Sequence, residues 1–352
     1  MTFHLVALPH TNVNEEHSSC AFNQKVLKFA KMMKSLGHVV YLYSSEKTDA
    51  PFDHHYICIT EEERIACLEG KHYTKASFDY TKPHWKRFNG EAIRQMKEVI
   101  KPQDFICVIG GLAHKEIADA FPQNMTVEFG IGYSGTFAKY RVFESYAWMH
   151  TLYGAQQGAQ GSAGIWFDEV IPSYFDVDEF PFEEEKDDYY LFIGRLVPDK
   201  GFSIAQEVCE KMGKRLILAG PGEHTGYGEF VGEVNPKERG KLMSKAKAVF
   251  VPSTYLEPFG SVAAEAQLCG TPVISTDWGA FTETVLDGTT GYRCRSFKEF
   301  CDAVESIENE ELDHQEIRDW ATSHYSMPVV AGLYEDYFLR LLTLWDKGWY
   351  QT

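Results

Sequence analysis

The stretch Glu257-Pro-Phe-Gly-Ser-Val-Ala-Ala-Glu265 sets the reading of this chain. Ahead of it, the apolar run Ala248-Val-Phe-Val-Pro-Ser253 has the pattern of a buried strand. Behind it, Ser261–Cys269 has the pattern of a helix, ended by Gly270. Glu257 therefore falls in a loop and Glu265 about one turn into the helix. Between the two acids lies a helix opening, whose backbone N–H groups are suited to an anion. Two carboxylates for sugar hydroxyls and amides for a phosphate together point to a nucleotide sugar.

Working outward, apolar runs alternate with helical patterns in both halves. Strands are expected at Phe3–Pro9, His38–Ser45, His55–Thr60, Phe105–Gly110 and Thr126–Phe129, then at Tyr190–Gly194, Arg215–Ala219, Ala248–Pro252 and Pro272–Ser275. Helices are expected at Ser18–Leu36, Gly90–Ile100 and Ala113–Ala120, then at Phe202–Met212, Lys237–Lys245, Ser261–Leu268, Phe297–Ile307 and Leu312–His324. This rhythm implies an α/β protein with parallel sheets covered on both faces. The divisions expected are a first Rossmann-like domain over 1–172, a solvated acidic linker over 173–188 and a second such domain over 189–325. A C-terminal helix over 326–352 would cross back to the first domain, with Tyr334, Phe338 and Leu341 on its apolar stripe.

The 352 residues carry a net charge of −17, with 17 basic and 22 acidic residues through position 180 and 17 and 29 after it. That balance argues against nucleic acid as a partner. No apolar run approaches the roughly 20 residues of a membrane helix, which leaves peripheral membrane contact as the form of membrane association to expect. The start lacks a secretory pattern. The eight cysteines include no C-x-x-C pair and read as free thiols of a cytoplasmic protein.

Further motifs follow expected strand ends. After Leu191-Phe-Ile-Gly194 come Arg195 and Lys200, a guanidinium fork and a point charge placed for phosphate oxygens. Arg215–Ala219 runs into Gly220-Pro-Gly222, and Gly232 and Val234 follow, a floor and wall for a planar base. Gly130-Ile-Gly-Tyr133-Ser-Gly135 fits G-x-G-x-x-G but follows the fifth strand instead of the first, and position 150 is His where an acid belongs. It reads as a flexible loop lining a cleft. The loop after the first strand carries His10, Thr11, Asn12, Asn14 and His17, open to a sugar or acceptor or simply solvated. Lys71–Lys101 is locally basic with interleaved aromatics and reads as a solvated face, with a lipid-phosphate surface as the functional alternative. No metal-ligand spacing appears.

In order and spacing, Gly194-Arg-Leu-Val-Pro-Asp-Lys-Gly201, Leu216–Gly222, Ala248–Glu265 and Gly270-Thr-Pro-Val-Ile-Ser275, followed by Gly279, Glu283 and Gly288–Gly291, resemble the retaining GT-B glycosyltransferases. That large E-x7-E group includes the sucrose synthases. The resemblance covers about residues 188–295. It implies two Rossmann-like domains facing across a cleft and transfer of a sugar, a hexose by expectation, from a nucleotide-diphosphate sugar to an acceptor hydroxyl. Anomeric configuration is retained and no metal is used. A nucleotide-sugar epimerase or a non-catalytic nucleotide-sugar binder are the alternatives.

By the same resemblance Arg195 and Lys200 hold the diphosphate, with Gly194 and Gly220 at the strand ends. Glu265 takes the ribose hydroxyls. Glu257, with the backbone of Phe259, Gly260, Ser261 and Val262, holds the sugar and β-phosphate. Gly232 and Val234 flank the base. The first domain matches less well, so His10, Thr11, Glu128, Tyr133 and His150 are its candidates for the acceptor or sugar side. No cofactor is expected. The nucleotide sugar, UDP or GDP by expectation, is a co-substrate, and the acceptor is a carbohydrate, a lipid-linked sugar or a small molecule.

Overall fold

The structure, a computed structural model, describes residues 1–76, 79–156 and 164–347. The last residues of the expected C-terminal helix, 348–352, lie outside the described residues. The described chain forms two compact units. One comprises residues 1–144, 152–171 and 330 onward; the other comprises Ser145–Thr151 and Pro172–Val329.

The first unit is built on a seven-stranded sheet. Its strands are β1 (Thr2–Val6), β2 (Val39–Ser45), β3 (His54–Ile59), β4 (Phe105–Val108), β5 (Thr126–Ile131), β6 (Tyr140–Phe143) and β7 (Glu169–Val170). The order is β3-β2-β1-β4-β5-β6-β7, and every pairing is parallel. β4 and β5 are buried along their whole length, as strands covered on both faces should be.

Four elements here depart from the sequence reading. β6 and β7 are too short to show a period, and Arg141 interrupts the apolar run of β6. The helix Glu61–Cys67 begins in a run of three glutamates that looks like solvated charge. A capping box fixes it, with Thr60 and Glu63 satisfying each other's backbone N–H groups. The helix expected from Gly90 begins seven residues earlier, at Pro83, where proline's missing N–H costs nothing.

The second unit carries β8 (Tyr190–Ile193), β9 (Leu216–Ala219), β10 (Glu229–Phe230), β11 (Val249–Val251), β12 (Val273–Thr276) and β13 (Gly291–Cys294). Their order is β10-β9-β8-β11-β12-β13, again parallel throughout. Both sheets thus start at an inner strand, build outward to one side, then return and build to the other. This is the doubly wound order of Rossmann-like domains. One apolar layer, with Leu191, Val249, Ala263 and Leu268, covers one face of the second sheet. The other, with Phe192, Val208, Phe250 and Val304, covers the opposite face.

The acidic segment 172–188 is not a free linker. Phe175 and Phe180 are buried in the core of the second unit, and Phe175 pairs by backbone with Ser326. The aromatics between the acids anchor the segment while the carboxylates stay outside. The helix Met327–Lys347 enters the first unit at Val330. There Phe338 packs edge-on to Phe3 at 4.7 Å and Phe105 at 4.8 Å, and Tyr334 meets Phe29 at 5.3 Å. The basic run after Lys71 is neutralised by acids around it. Lys82 pairs with Glu69, Arg87 with Glu63 and Glu91, and Arg94 with Glu91. These pairings favour a solvated face over a phosphate surface.

Candidate functional site

β8 and β11 are neighbours in the second sheet, although β9 and β10 separate them in sequence. The chain leaves them in opposite directions, and such a reversal opens a crevice beyond the carboxyl ends of the strands. The loop after β8 holds Gly194, Arg195 and Lys200. The loop after β11 holds Ser253, Tyr255 and Glu257. Strand order, and not proximity in sequence, brings the two motifs together.

A close backbone approach locks the two loops. Thr254 N donates to Asp199 O at 2.9 Å. Gly201 has a φ of +69° and comes so near the end of β11 that a Cβ there would lie 2.1 Å from Pro252 O. Beside this contact, Lys200 Nζ donates to Glu257 Oε1 at 2.6 Å and to the Tyr255 hydroxyl at 2.8 Å, and it lies 4.9 Å from the Tyr255 ring centroid. Ser253 Oγ donates to the same Glu257 oxygen at 2.8 Å, and Tyr255 donates its hydroxyl to the other. Glu257 is buried, and burying a carboxylate is costly unless such donors hydrogen-bond it. Burial and the carboxylate both push the Tyr255 phenol up, so it keeps its proton and donates. Arg195 is exposed at the end of β8, and its charge opposes that rise.

Helix Ser261–Leu268 begins at Gly260, whose φ is +80°. Its inner face is filled by Phe281, so a Cβ at Gly260 would lie 2.4 Å from that ring. Phe259 is turned into the core against Phe175 and Tyr325, leaving only its backbone for a ligand. Ser261 is exposed, while Val262 packs on the core. Glu265 is buried, and its Oε1 lies 3.2 Å from Arg239 Nη2. Gly194 and Gly220 meet backbone to backbone, where a Cβ on Gly220 would lie 2.1 Å from Gly194 O, and Gly220 N donates to Gly232 O at 2.8 Å. Val234 packs on the core beside this turn.

Three residues outside the sequence reading belong to this cluster. Arg239 carried no spacing signal, since it acts from another helix, whereas Tyr255 stands two residues from Glu257 in the same loop. Ser145 is a third. It donates its hydroxyl to Pro258 O at 2.6 Å and accepts from Trp148 N at 3.0 Å. Glu283 accepts from Tyr146 N at 2.9 Å and Ala147 N at 2.7 Å. The carboxylate thereby satisfies the opening amides of helix Tyr146–Gln156, a favourable charge at a helix N-terminus. His150 lies on this helix, exposed and stacked on Tyr146 at 6.3 Å between centroids.

The other first-half candidates are engaged within the first unit. Glu128 is fully buried, and its carboxylate accepts from Phe137 N at 2.8 Å, Ala138 N at 2.7 Å and the Tyr133 hydroxyl at 3.3 Å. Burial still holds its pKa above the usual range. This carboxylate ties down the segment read as a flexible loop, which also packs on Gly111, where a Cβ would lie 2.5 Å from Gly135 O. The loop after β1 is likewise not solvated. His10, Thr11, Asn12 and Asn14 are all buried. Ser45 Oγ donates to Thr11 O, Asn12 Nδ2 donates to Glu61, and Arg64 reaches His10 O. The backbone carbonyls of His10 and Thr11 and the side chain of Asn12 are thereby tied to β2 and to helix Glu61–Cys67.

Burial lowers His10 to about 4, assisted by His84, His17 and Arg64. A histidine with a depressed folded pKa binds more protons when unfolded, so stability is lost as pH falls from 6.5 toward 4. His10 alone contributes on the order of 3 kcal/mol to that loss. The urea midpoint of the first unit should drop between pH 7 and pH 4.5, and His10→Gln should flatten the drop. A midpoint that stays level in the wild type contradicts this.

Among the described residues, no group of three His, Cys, Asp or Glu side chains is placed to hold a metal ion, and no helix is long and apolar enough to cross a membrane.

Residues 176–324 match the family described as glycosyl transferases group 1. Glycogen synthase of Mycobacterium tuberculosis (strain H37Rv) is 33% identical over 122 residues, 30% of this chain and 29% of that protein. The chain thus spans about three tenths of the length of such curated relatives. Among solved structures, sucrose-phosphate synthase from Thermosynechococcus elongatus is similar with a TM-score of 0.68 at 16% identity, over 97% of this chain and 99% of that one. The Anabaena protein HepE, in complex with UDP and glucose, is similar with a TM-score of 0.64 at 15% identity, over 96% of this chain and 98% of that one. At these identities the likeness is one of fold, and the fold is GT-B, with two parallel-sheet Rossmann-like domains.

Proposed function

We propose that this chain, whose residues 176–324 form a glycosyl transferases group 1 domain, moves a hexose from a nucleotide-diphosphate sugar to an acceptor hydroxyl with retention of configuration and without a metal or bound cofactor. One observation carries the reading. Lys200, Glu257, Tyr255 and Ser253 form a single bonded cluster at the crevice between β8 and β11, beside the helix that carries Glu265.

In this reading the diphosphate takes Lys200 away from Glu257 and adds Arg195 and the amides that open helix Ser261–Leu268. These groups neutralise charge that grows on the β-phosphate as the glycosidic bond breaks. The bond between the anomeric carbon and the phosphate oxygen breaks, and the acceptor oxygen bonds to that carbon on the same face. The acceptor proton passes to the leaving phosphate oxygen, so no general base is required. Glu257, released by Lys200, orients sugar hydroxyls; it is not the nucleophile. UDP is the first candidate nucleotide, since HepE of the same fold is in complex with UDP and glucose. The eight free cysteines fit the reducing cytoplasm.

Thermal denaturation with UDP-, GDP-, ADP- and dTDP-sugars tests the proposal. A ligand at 100 times its Kd adds about 2.7 kcal/mol, so at least one of these donors should raise the midpoint by several degrees. No shift with any of the four rejects the reading.

A further inference from the structure

Glu265 occupies a position where a carboxylate is costly. Its side chain is 8% exposed, and the structure supplies Arg239 Nη2 at 3.2 Å from Oε1. A buried carboxylate is costly unless charged or hydrogen-bonding groups meet it, and this guanidinium is one of them. Arg239 belongs to a different element, helix Pro236–Lys245, which packs against the helix bearing Glu265. The start of that helix is fixed by Pro236 and by a capping box between Asn235 and Glu238. It also follows directly on Gly232–Val234, the segment expected to flank the base. Arg239 therefore ties the acid to the wall next to the base.

We propose that Arg239 is a positioning residue that makes the site choose ribonucleotides over deoxyribonucleotides, by holding Glu265 so that its carboxylate accepts from the ribose 2′-hydroxyl. The proposal rests on reading Glu265 as the ribose acid. The planar guanidinium engages one oxygen from a fixed direction. This sets the rotamer of the carboxylate. The contribution is one of geometry, so it should appear in the comparison of ligands that differ only by a hydroxyl.

Isothermal titration of the full chain with UDP and 2′-deoxy-UDP, or with GDP and 2′-deoxy-GDP if GDP is the nucleotide bound, reads this difference. A hydrogen bond to a charged group implies a wild-type preference for the ribonucleotide of roughly 10- to 100-fold. Arg239→Met should cut that preference to about 3-fold or less while leaving the Kd of the deoxy form within about 3-fold of wild type. Arg239→Lys, with charge but no fork, should fall between, and Glu265→Gln should lower the preference as well. Melting curves establish that the variants are folded. A preference unchanged in Arg239→Met, or equal weakening of both nucleotides, overturns the role of Arg239 alone. Failure of the wild type to bind either nucleotide overturns the functional reading beneath it.

Discussion

The double variant Arg195→Ala/Lys200→Ala turns over its donor roughly 10²–10⁴-fold more slowly than wild type, the cost of removing fixed positive charge from where an oxyanion develops. The two cations contribute differently. Arg195 is exposed at the end of β8, where the proposed function puts the diphosphate. Lys200 is already committed to Glu257 and Tyr255. Removing it takes a charge from the diphosphate and leaves Glu257 with only the hydroxyls of Ser253 and Tyr255. Both single variants should therefore lose in kcat, and Lys200→Ala, which also frees Glu257, should lose more than Arg195→Ala. Initial rates across donor concentration, on protein whose melting curve is unchanged, separate the two. Wild-type turnover in the double variant would eliminate the proposed stabilisation of the leaving group.

Gly201→Ala is the second large effect, felt first in stability. Gly201 combines a φ of +69° with a backbone approach that would put its Cβ 2.1 Å from Pro252 O. The left-handed conformation costs a non-glycine residue about 1–2 kcal/mol. Displacing a backbone carbonyl at the end of an inner strand adds an overpacking cost of about 1–3 kcal/mol. Together they predict a loss of about 2–5 kcal/mol, and with it the register between Lys200 and Glu257. Gly213 is the control. Its φ of +64° is similar, but nothing lies within 4 Å of its Cβ position. Gly213→Ala should thus show the conformational cost alone. Equal urea midpoints for the two variants would mean that the contact with Pro252 contributes nothing.

β4, β8 and β9 were readable because burial on both faces leaves an uninterrupted apolar run. β6, equally short, was not, since Arg141 breaks its run, and β7 and β10, of two residues each, show no period. Site legibility divides along the same line. Glu257, Glu265, Arg195 and Lys200 announce themselves because each stands at a strand end or on a helix start, at a spacing that local geometry dictates. Arg239 and Ser145 acquire their contacts only once strand order and helix packing are set, as does Tyr255 its contact with Lys200, although its bond to Glu257 lies within one loop. A polar residue at a strand end looks the same in sequence whether it faces a ligand or closes its own loop, and the Glu128 carboxylate closes its loop.

The central claim is that the cations from β8 and the acids from β11 and its helix grip one nucleotide sugar. The most direct measurement is an experimental structure of the chain soaked with UDP, or with GDP if that is the nucleotide it binds. The account predicts the diphosphate against Arg195, Lys200 and the amides following Gly260, with Lys200 drawn off Glu257 and the ribose on Glu265. A nucleotide bound elsewhere in the second unit, with the Lys200–Glu257 pair intact, would contradict it.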